Sequence, residues 1–289
     1  CRTEEFDGTS PIGNRSITKL SSARSNSPRE EGHPPIERLE LMFKRPKDVP
    51  IQPGVVGEIS KLVEVGADYG ILANAIAHDP GLTVRFARNL GLFDFQSSTR
   101  SIELYGALEK SGIHSFRSFL TSTVISGTVV STDGSLLDGR RLNKHSYVTG
   151  CLIGRYLENH PEYGLSPYEG LALGALHDIG FLLLAVSSPQ AFKAVSDFAA
   201  QTGTSFDIAF SCIYPTSIYQ LSAHALNAWR ISPSTVDLIK NFDVSLSENM
   251  APLRLLLRCA DFISYELGIR PEPFHATTAL PPGFEETLV

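Results

Sequence analysis

From Leu171 to Val186 every residue is apolar or glycine except two adjacent ones, His177-Asp178. No other stretch constrains the fold as strongly. Side chains of this kind have to be buried, and they carry the polar pair inward with them. A polar pair inside such a segment must be hydrogen-bonded or bound to a metal, or it is costly. The run is helix-forming, and Gly180 follows the pair closely, which permits the helix to end or unwind there. Two residues that could meet the pair chemically, His145 and Asp261, lie far off along the chain.

Around this stretch the sequence alternates helical stripes with proline-based stops and starts. Leu39, Met42 and Phe43 share one short helix face. Val55, Ile59, Leu62 and Val63 mark a second, and Leu72 and Ile76 a third. Asp79-Pro80 is a cap followed by proline at the first helical position, opening a helix with Leu82, Phe86 and Leu90. Ile102, Tyr105 and Leu108, then Ile113, Phe116, Leu120 and Val124, mark two more. In the second half, Leu142, His145, Thr149, Leu152 and Tyr156 lie on one stripe, so His145 faces inward. Ser166-Pro-Tyr-Glu169 is a capping box. Ser188-Pro189, Thr204, Thr216 and Ser232-Pro233 open further helices. Leu253, Leu256, Leu257, Ala260 and Ile263 face inward on the helix that carries Asp261. No period-two pattern competes with these, so the expected fold class is all-α, a multi-helix bundle of two helical subdomains. The expected organisation is a disordered tail over residues 1–36, a first helical subdomain over 38–126, a connecting loop over 127–141, a second over 142–268 and a loose tail over 269–289.

Composition narrows the function. The 289 residues are 42% hydrophobic and 19% charged, enough apolar material for a sizeable core. The net charge of -6 argues against nucleic acid as a partner. No run reaches the roughly 18 apolar residues of a membrane helix, so no membrane role is expected. Of the four cysteines, Cys151, Cys212 and Cys259 sit in apolar helical contexts and no CxxC pair occurs. Buried reduced thiols suit a cytoplasmic location, with a lipid-modified Cys1 as the alternative. His78 and His114 read as capping or exposed residues, and His224 as a surface or capping residue on an amphipathic helix.

Spacing alone gives His145, His177, Asp178 and Asp261 two readings. The first is a hydrogen-bonded polar cluster that pins four helices, with no cofactor. The second is a seat for one divalent ion, because imidazole nitrogen and carboxylate oxygen suit Mn, Fe, Zn or Mg. Such an ion could activate a water against a phosphate ester.

The order His145, His177-Asp178, Asp261 resembles the signature of the HD superfamily. The neighbouring text is similar, more narrowly, to an HDOD domain. The stretches are Ala77-His-Asp-Pro-Gly-Leu-Thr-Val-Arg85, Leu142-Asn-Lys-His145, Gly174-Ala-Leu-His-Asp-Ile-Gly180 and Ala225-Leu-Asn-Ala-Trp-Arg-Ile231, and together with the helical order they cover about residues 38–268. The resemblance implies a bacterial signalling or regulatory module, helical throughout and non-catalytic, that acts through protein partners of a signalling pathway. The chain also departs from its relatives. Phe181 stands where many HD hydrolases carry a lysine, and Ser217-Ile-Tyr-Gln-Leu-Ser222 lacks a histidine that HDOD relatives often keep. Asn241, Phe242 and Asp243 match positions of paired histidines. A dinuclear centre therefore looks lost. A mononuclear phosphohydrolase and a nucleotide or cyclic-dinucleotide receptor are the alternative functions, and no residue pattern supports the receptor.

Overall fold

Side-chain caps and prolines set most of the helix boundaries. The computed structural model describes residues 35–36, 38–39, 49–52, 54–89, 104–125, 137–229, 231–243 and 252–271. In the first half, α1 (Val55–Glu64) is followed by α2 (Tyr69–Ala77), where Asp68 accepts the Ile71 amide at 2.9 Å. At the start of α3 (Pro80–Asn89), Asp79 accepts the Leu82 amide at 2.8 Å. The long α4 (Leu104–Ile125) is broken at Gly112, whose φ of 73° only glycine adopts cheaply. The two stripes read on either side of residue 112 are the two arms of this kinked helix.

The second half begins with α5 (Gly139–Asn159), capped by Asp138, which accepts the Arg140 and Arg141 amides. The helix thus starts at Gly139, three residues before the expected start of the second subdomain at 142. A single 3-10 turn (Pro161–Tyr163) leads to α6 (Pro167–His177), which has the expected capping box of Ser166 and Glu169. Then follow α7 (Ile179–Ser187), α8 (Pro189–Thr202), α9 (Phe206–Ile213), α10 (Ile218–Ala228), α11 (Pro233–Lys240) and α12 (Pro252–Glu266). Ser232 caps α11 as expected, whereas Ser188 makes no side-chain cap bond to α8. Ser205 and Ser217, rather than Thr204 and Thr216, occupy the cap positions of α9 and α10. There is no strand among the described residues, and the fold is all-α.

The centre of the molecule is the apolar run itself. From Glu169 to Ala185 every residue of α6 and α7 is buried. Counted as one segment, Pro167–Ser187 is long and apolar enough to cross a membrane, contrary to the sequence expectation. It is 89% buried inside this fold, however, and breaks at Asp178. Its apolar side chains are therefore spent on the protein core.

α5 lies against α6 along glycines. A Cβ on Gly174 would run into the backbone of Gly150, and one on Gly170 into the backbone of Gly154. Only hydrogen at these positions lets the two backbones approach so closely. This corrects the expected α5 stripe. Leu142, His145 and Thr149 are buried, but the inward line continues through Gly150, Ile153, Gly154 and Leu157, leaving Leu152 and Tyr156 half-exposed. On α12, Leu257 and Ala260 are buried and Leu253, Leu256 and Ile263 only partly so. Gly180 also has a role other than the expected unwinding. It is helical, and a Cβ there would strike Ser222 and Ile218 of α10.

Several contacts tie the first-half helices to α5 and α6. Tyr105 stacks on Tyr168 at 5.2 Å, and Tyr147 donates to the Asn74 side chain at 2.7 Å. Buried Asp79 accepts from the Gln52 amide at 2.8 Å and from Asn143 at 3.4 Å. Burial pushes the Asp79 carboxyl up, against the pull of those bonds. All the described residues fall within one packed unit. Of the expected tail over 1–36, loop over 127–141 and tail over 269–289, residues 1–34, 127–136 and 272–289 lie outside the described residues, as do Cys1, Met42, Phe43, Leu90 and Ile102.

Candidate metal centre

Four elements each deliver one of the expected residues to the same place. α5 brings His145, the end of α6 brings His177, the break between α6 and α7 brings Asp178, and α12 brings Asp261. The glycine seam sets the first two side by side, with ring centroids 5.4 Å apart. Asp178 sits at φ -101° and ψ 14°, outside both helices. That single non-helical residue lets His177 and Asp178, though adjacent, present side chains to one point.

Both histidines are oriented from behind by a main-chain carbonyl. His145 Nδ1 lies 2.8 Å from the Ile269 oxygen, and His177 Nδ1 lies 2.7 Å from the Gly174 oxygen. A carbonyl only accepts, so each Nδ1 carries a proton and each Nε2 faces the carboxylates. His145 Nε2 is 2.9 Å from Asp261 Oδ1 and 3.4 Å from Asp178 Oδ2. His177 Nε2 is 3.2 Å from Asp178 Oδ2 and 3.6 Å from Asp261 Oδ1. Donor atoms of His145, His177 and Asp178 all lie within 4.8 Å of one another. Neither Asp178 oxygen and not His177 Nε2 completes a hydrogen bond. Asp261 lies outside that three-residue group but reaches both imidazoles through Oδ1.

The cluster is dry. His145 and His177 are 0% exposed, Asp178 2% and Asp261 6%. For His177, burial opposes a charge, but Asp178, Asp261 and the Gly174 carbonyl outweigh it and raise its pKa to about 9. Aromatic rings border the site. Phe242 packs 5.8 Å from the His177 ring and 4.6 Å from Tyr219, and Tyr219 in turn meets Phe181 at 6.3 Å. Phe181, Tyr219 and Phe242 thus form an apolar wall beside the cluster.

Three contributors were missed in the sequence. The carbonyls of Gly174 and Ile269 have no side-chain signature. Arg258, buried one turn before Asp261, places a cation near the cluster, and burial lowers its pKa while Tyr219 and Asp261 oppose the shift. Its i, i+3 spacing from Asp261 was the available signal. His224 is neither a cap nor a surface residue. It is half-buried on α10 with Nε2 unpartnered, and it is not one of the three converging residues. His78 caps α2 and is exposed, and His114 is exposed beside the Gly112 break. Cys259 is buried, while Cys151 and Cys212 are half-buried and all three are free thiols.

A family model for the HDOD domain matches residues 49–243. No curated protein matches the chain significantly. Among solved structures, the response regulator MmoQ of Methylococcus capsulatus str. Bath aligns with a TM-score of 0.58 at 18% identity, over 77% of this chain and 89% of its own. A fragment of MmoQ, residues 20–298, aligns with a TM-score of 0.59 at 18% identity, over 78% and 88%. At these identities the likeness is one of fold.

Proposed function

The chain belongs to the HDOD family, and from that premise we propose that it is a signalling or regulatory module that binds partner proteins and turns over no substrate. The observation that carries the proposal is the closure of the cluster. Four buried polar side chains face one another behind Phe242 and Tyr219, an arrangement suited to pinning α5, α6 and α12 and poorly suited to admitting a phosphate ester. A protein of the same fold, MmoQ, is a response regulator, which is work of the same class. In this reading the module is cytoplasmic, helices over 38–126 form the docking subdomain and those over 142–268 form its support. Val65 and Ile71, 79% and 48% exposed, are the large exposed apolar side chains among the described first-half residues and belong to the partner face. The test is affinity capture with the full chain from a bacterial lysate, comparing wild type, Val65→Asp/Ile71→Asp and His177→Gln. A partner lost only with the first variant is expected. Capture that disappears equally with His177→Gln, with the fold intact, contradicts the proposal.

A second reading keeps one divalent ion. The Asp178 oxygens and His177 Nε2, which complete no hydrogen bond, are the observation that favours it, and the donor set suits Mn, Fe, Zn or Mg. His145, His177, Asp178 and Asp261 would hold the ion. When bound, it would supply Lewis acidity and an acidified water, the equipment of a metal-dependent phosphohydrolase. Gly174 and Ile269 would keep both Nε2 atoms aimed at it. Elemental analysis of purified protein tests this. About one ion per chain, lost in His177→Ala/Asp178→Ala, supports the reading, and full loading of that variant contradicts it.

A further inference from the structure

Away from the cluster, a groove of about 610 Å³ lies among α1, the end of α2 and the first half of α5. That volume falls in the range of roughly 300–1,000 Å³ that small-ligand sites occupy. Ile59, Leu62, Ala75 and Val148 give it an apolar lining. Its charges do not call for a charged ligand. Arg140 already has a partner, and the other charged side chains of the described lining, Lys144 and Glu58, are one of each sign. What the groove has to cover is apolar surface.

One wall is aromatic and anchored. His78 stacks on Tyr147 with ring centroids 3.5 Å apart, and both rings line the groove. His78 Nδ1 donates to the Asn74 carbonyl at 2.9 Å, and the Tyr147 hydroxyl donates to the Asn74 side chain at 2.7 Å. A wall so held loses little freedom on binding. The same bonds fix what each ring can offer. The Tyr147 proton is given to Asn74. A carbonyl only accepts, so the His78 proton sits on Nδ1 and Nε2 is left as an acceptor. His78 is exposed on the groove wall, which puts that nitrogen within a ligand's reach.

We propose that this groove binds a small neutral aromatic molecule with one hydrogen-bond donor, of the phenol or indole class. Its body lies on Ile59, Leu62 and Val148 and meets the ring pair in edge or face contact. Its O–H or N–H donates to His78 Nε2. A ligand seated there touches α1, α2 and α5 at once, so it strengthens the same junction as the Asn143–Asp79 and Tyr147–Asn74 bonds. The site shares no residue with the His145 cluster and holds whether or not that cluster takes a metal.

Calorimetric titration of the full chain at pH 8 tests it, with 4-propylphenol, its methyl ether and 4-propylbenzoate as probes. The phenol should bind saturably at one site. The ether, which keeps the body and lacks the donor, should bind about three- to tenfold more weakly, as expected for one lost hydrogen bond. The benzoate should bind no more tightly than the phenol. Indole against 1-methylindole repeats the comparison for an N–H donor, and the pair with the larger difference identifies the preferred class. His78→Phe keeps a ring on Tyr147 and removes the acceptor, so phenol and ether should bind it alike, each as the ether binds wild type. His78→Leu, also without a nitrogen, should do the same. Glu58→Gln should leave the preference for the phenol intact. The proposal is overturned if the phenol does not saturate, if wild type binds phenol and ether equally, if the benzoate binds more tightly than the phenol, or if the preference survives in both His78 variants.

Discussion

His177 is gripped from two sides, by the Gly174 carbonyl behind it and by the Asp178 and Asp261 carboxylates in front. In metal-free protein those oxygens raise its pKa from 6.5 to about 9, even though burial works in the opposite direction. The folded value lies above the unfolded one. The stabilisation is therefore complete below pH 6.5 and disappears as pH rises through 9. The shift corresponds to about 3 kcal/mol. Urea unfolding of metal-free protein should show stability falling over that window, and His177→Gln should flatten the fall. A wild-type profile that is level from pH 6.5 to 9 would count against this balance of charges. Asp261 holds His145 at 2.9 Å, and Asp261→Ala removes the nearer of its two carboxylates in a dry interior. Removing one partner of a buried pair costs about 3–5 kcal/mol, to be read from the same unfolding curves.

Among the helices, the α5–α6 contact decides whether the site exists, because it sets the two histidines in register. Gly174→Ala inserts a methyl group into the Gly150 backbone. Helix propensity alone would favour alanine by up to about 1 kcal/mol, but forced separation of the backbones costs about 1–3 kcal/mol and also disturbs the His177 anchor. The net result should be destabilisation. Gly57→Ala on α1 is the matched control, since an added Cβ there meets nothing within 4 Å, and it should stabilise. Equal melting temperatures for the two variants would show that the seam is not tight. The seam was illegible in the sequence because stripe counting looks for large apolar side chains. Gly150, Gly154, Gly170 and Gly174 contribute by having none. The capping box at Ser166 was legible because its two residues and their spacing are themselves the mechanism, whereas Ser188-Pro189 has the same look and makes no cap bond.

For the whole molecule, helix identity and the four cluster residues were readable, because periodicity and residue chemistry are local properties. What was not readable was long-range. The aromatic wall needs α10 and α11 folded back on α6. The Asp79 tether needs residues 52, 79 and 143 together. Asp79 looked like a simple cap, yet it also fastens the first-half helices to α5. Asp79→Ala should therefore cost more than a surface cap, about 2–4 kcal/mol for the cap and two further bonds, measured by thermal or urea unfolding. A loss below 1 kcal/mol would mean the tether is dispensable. The measurement that bears most directly on a closed, non-catalytic cluster is turnover. Full-length chain is incubated with Mn, Fe, Zn or Mg and assayed on phosphodiester and nucleotide substrates beside His177→Ala. Rates for wild type indistinguishable from the variant and from metal alone are expected. Sustained hydrolysis by wild type that vanishes with His177→Ala would contradict it.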